Sequence, residues 1–534
     1  MKTNYRELYL EKSLAEIPRL LGLIDRNPSS KTHGCFDRNF WHYKTIDFAT
    51  GMAQLGVLPL AYVYTQKLKN NPYYKQPRIR ELILAGMRYL PKCSHKDGTA
   101  DEFYPFERAL GATAFSLIAC TEAYLLLGEN HPDIVAFFKK RAGWMARNTE
   151  PSVIANHQAG AALALANVWK ITGDSRYLKA ARQKIKNTLA WSCDEGWFKE
   201  YEGCDPGYHT FTIDYLAKYY KKTQDESVLP VLGKAVEFCT YFIHPDGSYA
   251  GEYGSRNTAH FLPHGFEILG KHFPEALAIV GKFSEGLANN KNEFMNDEKY
   301  FFYNLINYFQ TYLDWNEKRP GPFEHKKDFE KYFPQARIYV CRHKDWYVVC
   351  SLAKGGVVKA FKKGKLVFQD TGIVAKLTNG RVIASQVIDQ AYKISIGPHK
   401  LSVTGQFHSI NRETMTSFKM IAFRMLLLVF ARAWWMGSLV KDLLIKRLIT
   451  RKKHEKAWFR RDISIGDKIS VTTTLKLGAG RKAGRLWHST DAAVIHVPTS
   501  RYFQEGAMMQ WQDCSNAIPE LNRKKRVVLA RESE

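Results

Sequence analysis

No two cysteines in this chain stand in a C-x-x-C spacing. Nine Cys are scattered through 534 residues, which points to reduced thiols in a cytoplasmic setting and offers no obvious zinc site. The opening stretch, MKTNYRELYLEKSLAEIPRL, lacks the apolar core of a secretory signal. Low-complexity tracts are missing. So are a G-x-x-x-x-G-K-[ST] loop, a G-x-G-x-x-G turn after a strand, a G-x-S-x-G elbow and an H-E-x-x-H helix. Acids are scarce in one part only. Residues 335–534 carry 36 Lys and Arg against 14 Asp and Glu, a net of +22, whereas residues 1–334 stand at +4. A basic C-terminal part suits an acidic polysaccharide, an anionic membrane surface or nucleic acid. Nucleic acid is the weakest of these, because no binding motif accompanies the charge.

What is present has two textures. Up to about residue 320, apolar residues recur at three and four, as in ERALGATAFSLIACTEAYLLL and AGAALALANVWKIT. Asp174, ahead of SRYLKAA, reads as an N-cap. Beyond KRPGPFEHKKDFEKYFPQ the chain alternates, is rich in Val and aromatics, and shows an Asn-Gly hairpin signal in LTNGRVIASQVID. The length exceeds one ordinary compact domain. The expected division is a helical catalytic domain over 1–325 and an antiparallel β domain over 335–534.

The helical part also repeats. TGDSRYL at 172 is echoed by TQDESVL at 223, and DEGWF at 194 by PDGSY at 245, both 51 residues on. Such a unit is two helices plus loops, and stacked helical hairpins give an open solenoid or a closed toroid. His157, His209 and His260 lie 52 and 51 residues apart, which predicts a His at the head of a helix in each unit. In a closed ring those heads converge on one mouth, where free N–H groups and helix dipoles favour an anion. Asn156 could alternatively be a simple N-cap.

Most polar clusters fall at such loop-to-helix entrances. They are Arg38, Trp41 and His42; Tyr104, Glu107 and Arg108; Asn156 and His157; Tyr208 and His209; and Arg256, His260 and His264. This inventory suits removal of the C5 proton of a uronic acid. Asn and Arg can neutralise the carboxylate, a neutral His or a Tyr phenolate can take the proton, and a Tyr hydroxyl can protonate the departing oxygen. Trp41 and Trp197 would give sugar-stacking faces. The scheme requires no cofactor and no metal. Hydrolysis would need a pair of carboxyl groups. Asp37, Asp47, Glu107, Glu200, Asp205, Asp214 and Glu252 are available, but no spacing marks a pair.

ANHQAGAALALAN, then EGWFKEYEGCDPGYHTFTIDYL, then RRDISIGDKISV in the β part together resemble the heparinase II/III-like and alginate-lyase-like polysaccharide lyases. The resemblance spans roughly residues 30–530. It implies an N-terminal (α/α) toroid of helical hairpins followed by an antiparallel β-sandwich. It implies that Asn156 neutralises the uronate carboxylate and that His157 is a base or a positioning group. Tyr208 would be the catalytic acid, and for one sugar epimer also the base, with His209 in support. Arg256 and His260 come from the repeat phase instead. The resemblance also predicts a His from the β domain, yet residues 351–372 hold none.

One segment does not suit a β-sandwich. Residues 418–456 read as helical and apolar, with ten Lys and Arg and two acids. Arg424 and Arg432 interrupt it, and its longest uncharged run is eight residues, too short to span a bilayer. It reads as an interfacial helix on an anionic leaflet, with Trp434 and Trp435 at the interface and a basic cluster from Arg451 to Lys456, or as a helical insert packed on the toroid. The expected function is β-elimination on a uronate-containing glycan. The alternatives are a uronyl C5-epimerase acting on a glycan under assembly, a toroid glycoside hydrolase and a non-catalytic glycan-binding protein. The expected location is cytoplasmic, at the inner membrane surface.

Overall fold

The structure, a computed structural model, describes residues 4–149, 152–201, 203–292, 294–298, 300–325, 327–410, 414–431, 436–437, 439–440, 443, 452–496, 499 and 504–533. Fourteen helices come first: α1 (Tyr5–Ala15), α2 (Ile17–Leu23), α3 (Arg38–Trp41), α4 (Val57–Thr65), α5 (Pro77–Tyr89), α6 (Leu110–Leu127), α7 (Pro132–Arg147), α8 (Ala155–Thr172), α9 (Ser175–Leu189), α10 (Pro206–Thr223), α11 (Leu229–Cys239), α12 (Pro263–Leu269), α13 (Pro274–Ala288) and α14 (Phe301–Leu313).

Helices α4, α6, α8, α10, α12 and α14 touch in that order, and α14 returns to α4. They form the inner ring of an (α/α) toroid. Outside them stand α5, α7, α9, α11 and α13, with α1 against α13 and α14. An inner helix has no solvent face, so it must be apolar all round. In α8, Ala155, Ala159, Ala161, Ala162, Ala164 and Ala166 are all buried. Helix α6 is long and apolar enough to cross a bilayer, but it is mostly buried inside the ring. Outer α9 is amphipathic, and Asp174 caps it by accepting from the Arg176 N–H at 3.0 Å. Helices α6 and α8 stop at left-handed glycines, Gly128 (φ 66°) and Gly173 (φ 70°), a conformation that strains other residues.

Strands β1 (Phe329–Phe333), β2 (Ile338–His343), β3 (Trp346–Ser351), β4 (Val357–Lys362) and β5 (Lys365–Asp370) form one antiparallel meander. Strands β6 (Gly372–Leu377), β7 (Val382–Ala384), β8 (Lys393–Gly397), β9 (Lys400–Ser409), β10 (His454–Ile465), β11 (Ile469–Leu477), β12 (Ala483–Ser489), β13 (Gln512–Asp513) and β14 (Arg526–Glu532) form the second sheet. Its order is β13-β12-β6-β7-β9-β10-β11-β14, with β8 also on β9. The Asn379-Gly380 turn joins β6 to β7, with Gly380 at φ 82°. Helix α15 (Ser417–Phe430) lies between β9 and β10.

The meander is the middle layer. Alternate side chains of β2–β4 point to opposite faces. Ile338, Val340, Tyr347, Val349, Val357 and Phe361 join the toroid core, whereas Tyr339, Cys341, Trp346, Val348, Cys350 and Val358 join the second sheet. That is why β3 is buried at every position. Phe333 packs against Phe238, Tyr241 and Phe242 of the toroid, with centroids 5.0, 5.3 and 6.0 Å away. The Tyr347 hydroxyl donates to the Tyr241 carbonyl at 2.7 Å. Truncating Phe333 to Ala should therefore cost about 3–5 kcal/mol. Urea titration of the full chain checks this, and an unchanged midpoint would remove this ring from the interface account.

Candidate active site

The site lies where the heads of α6, α8, α10 and α14 meet the loop before α12. In α8 the N-cap is Ile154, so Asn156 is the second helical residue and is not the N-cap. Its amide Nδ2 instead donates to Glu200 at 3.1 and 3.0 Å. Both groups are buried. Burial pushes the Glu200 carboxyl up to about 7, against the pull of His157, the Asn156 bond and Arg256. His157 stands edge-on to Phe115 at 5.6 Å. A methyl group at Gly111, in the first turn of α6, would lie 2.9 Å from its Nε2.

Tyr208 is the third residue of α10, which Asp205 caps by accepting the Tyr208 N–H at 3.0 Å. The Tyr208 hydroxyl lies 2.7 Å from that of Tyr300, the N-cap of α14. Burial, then the neighbouring Tyr300, raises the Tyr208 phenol well above its ordinary value. His260 stacks obliquely on the Tyr300 ring, 3.7 Å between centroids. Arg256 lies over the Tyr201 ring at 4.3 Å.

The β domain completes this corner. Lys354, in the turn between β3 and β4, donates to the carbonyls of Glu252 and Gly254 at 2.5 and 2.7 Å and to the Asn257 side chain. Burial pushes its amine down to about 7, while Asp205 and Glu252 pull it up. Lys359 on β4 pairs with Glu252 at 3.1 Å. His496, in the loop after β12, is held down to about 3 by burial and then by Arg256 and Lys354. The Thr499 hydroxyl of the same loop donates to the Arg256 carbonyl at 2.9 Å.

The three repeat-phased histidines part company here. His157 and Tyr208 both take the third position of their helices, and His209 takes the fourth. One residue turns a side chain by about 100°. The His209 ring accordingly lies between Phe198 and Phe238, each 5.5 Å away, and burial pushes it down to about 3. His260 precedes α12 instead of heading it. His264 pairs with Asp314 at 2.6 Å. Asp314 is the C-cap of α14, one helix length, roughly 20 Å, from Tyr300 at the other end.

Other candidates occupy the rim or lie away from Tyr208. Glu107 accepts the N–H groups of Glu102 and Phe103 at 3.1 and 2.8 Å. Arg108 pairs with Asp97, and Tyr104 meets Phe423 of α15 at 5.6 Å. The Trp41 indole donates to the Leu23 carbonyl at 2.8 Å and lines a groove with Arg26 and Arg78. His42 sits edge-on to Trp41 and Tyr43, and Arg38 lies over the Tyr43 ring. Trp197 is buried and bound to Glu195 at 2.9 Å, so it offers no stacking face.

Among the described residues, one group of ligand type stands elsewhere. Asp389, His408 and His454 hold their donor atoms within 4.8 Å of one another, which would suit a cation. Lys452 shares the Asp389 carboxylate at 3.8 Å.

Sequence reasoning missed Tyr300, Lys354 and His496, and took Glu200 only as one spare carboxylate among seven. Tyr300 had a usable signal, since it heads the inner helix that closes the ring. Lys354 and His496 had none.

The family described as the Ulvan lyase N-terminal domain matches residues 44–260. Among solved structures, the chain is similar to the chondroitin AC lyase of Streptomyces coelicolor A3 in complex with chondroitin sulphate. Identity is 11% and the TM-score 0.55, over 90% of this chain and 68% of that one. A point mutant of the same enzyme gives 10% and 0.50, over the same shares. Heparinase III gives 11% and 0.48, over 82% and 64%. No curated protein matches the chain. Residues 44–260 are thus similar to the Ulvan lyase N-terminal domain, and the chain as a whole shares the toroid-and-β fold of the chondroitin AC lyase.

Proposed function

We propose that the protein cleaves a uronate-containing glycan by β-elimination at the toroid mouth. One observation carries the reading: the Tyr208 phenol, hydrogen-bonded to Tyr300, stands with His260 on the Tyr300 ring. Burial keeps that phenol protonated at neutral pH, which suits an acid that protonates the leaving glycosidic oxygen. Tyr300 is placed to resupply the proton. His157 is the proposed base for the C5 proton. Asn156 and Arg256 are the proposed donors to the uronate carboxylate, whose neutralisation makes that proton acidic enough to leave.

The carboxyl groups speak against hydrolysis. Asp37 caps α3, Asp47 pairs with Arg424, Glu107 holds its own loop, Asp205 caps α10, Asp214 pairs with Lys218, and Glu252 pairs with Lys359. Of these seven candidates, Glu200 is the one bonded to Asn156, and no two of them are brought together as the pair that hydrolysis needs.

The first test is proton NMR in D2O with ulvan, chondroitin sulphate and other uronate polymers. A new vinyl H4 signal is expected. Loss of H5 from an intact chain would make the enzyme an epimerase, and new reducing ends without either signal would make it a hydrolase. Tyr208→Phe should lower kcat by about 10²–10⁴-fold with KM nearly unchanged.

Glu200 sets the pH dependence. Below about 7 its carboxyl is neutral, and above that its charge opposes a uronate. KM should therefore rise on the alkaline side, and Glu200→Gln should remove that rise. The stability linkage has the same origin. The folded value lies above the ordinary 4.5, so this contribution is complete below 4.5 and is lost as pH rises through 7. The wild type should lose on the order of 3 kcal/mol over that window relative to Glu200→Gln, read from melting curves at several pH values.

A further inference from the structure

Helix α15 is an apolar helix turned the wrong way for a folded core. Among the described residues, one side of it is held. Leu427 is buried, and the Phe423 ring meets Tyr104. Arg424 pairs with Asp47 at 3.0 Å and lies over the Phe48 ring at 5.8 Å. The opposite side reads Phe418, Ile421, Met425, Leu428 and Val429, a stripe at helical spacing. Those residues are exposed, with Phe418 at 81%, Ile421 at 63% and Val429 at 61%. Met415, Leu439 and Leu443 in the flanking sequence are exposed as well. A contiguous patch of this kind marks a surface that binds something.

Charge decides what it binds. Residues 418–456 carry ten Lys and Arg against two acids. Lys419, Lys453 and Lys456 are exposed, whereas Arg432, Trp434, Trp435 and Arg451 lie outside the described residues. A second copy of the chain on a two-fold axis would bring two such basic segments together, and like charges oppose that. An anionic surface with an apolar layer beneath it answers both features. Fourteen helical residues reach about 21 Å, short of the ~30 Å hydrocarbon core, so the helix would lie in the interface and not cross it.

We propose that α15 seats the protein on a phospholipid bilayer that bears anionic headgroups. The helix rests on Asp47, Phe48 and Tyr104, in the loops that lead to α4 and α6. The toroid mouth would then open beside the membrane surface, within reach of glycan attached to or emerging at it. The seating does not depend on the lyase reading.

Vesicle co-sedimentation of the full chain tests it. Binding is expected to vesicles of phosphatidylcholine with phosphatidylglycerol, weakened by salt and lost on phosphatidylcholine alone. The triple variant Phe418→Ser, Ile421→Ser, Val429→Ser should bind roughly tenfold more weakly or less, with its melting midpoint unchanged. Should that variant melt early, Lys419→Glu with Lys453→Glu carries the test through loss of the salt-sensitive binding. A wild type that stays in the supernatant with the anionic vesicles overturns the proposal. So does a concentration-dependent dimer, abolished by the triple variant, in a protein that ignores the vesicles. The readout is vesicle binding, so failure of catalysis and failure of seating are seen separately.

Discussion

The Asp205 carboxylate is the interaction on which the site depends. One oxygen accepts the Tyr208 N–H and the Thr258 hydroxyl, and the other accepts the Arg256 N–H at 2.6 Å. The same group therefore starts α10, aims Tyr208 and anchors the loop that carries Arg256 and leads to His260. Its burial raises it above the ordinary carboxylate range despite three donors and Lys354 nearby. Space around it is short. A Cβ at Gly254 would lie 2.7 Å from its Oδ2, and one at Gly207 would lie 2.6 Å from the Thr258 carbonyl. Both glycines are there because two backbones approach this carboxylate closely.

The second domain acts through the same loop. Lys354 and Lys359 grip residues 252–257 from the meander, and Val494 and Thr499 close on Asn257 and Arg256 from beyond β12. The β part is thus a structural partner of the toroid loop as well as a basic surface. The cleft is electrostatically uneven. Burial pushes the Lys354 amine down and the Glu200 carboxyl up, and it raises the Tyr208 and Tyr300 phenols.

Much of this was legible in the sequence because it is local. The all-round apolar runs of α6 and α8 require burial on every side. The Asp174 cap and the Asn379-Gly380 turn rest on a few neighbouring residues. Tyr208 could be named because it stands at a loop-to-helix entrance in a stretch that resembles the lyases. The site was less legible where one residue of phase mattered. His209 and Tyr208 are neighbours in sequence, yet a helical step sends one into the aromatic layer beneath α11 and the other to Tyr300. Asn156 looked like a cap and is a second-position donor to Glu200.

The sequence by itself determined the two textures, helical hairpins and then alternating strands, since periodicity follows from side chains a few residues apart. It also determined the charge imbalance and the apolar, arginine-broken character of the insert. Tertiary structure alone decided which polar groups meet. Glu200 reaches Asn156 across 44 residues, Tyr208 reaches Tyr300 across 92, and Lys354 reaches Asn257 across 97. Contacts over such distances are set by closure of the ring and by the docking of the meander, which no local pattern encodes.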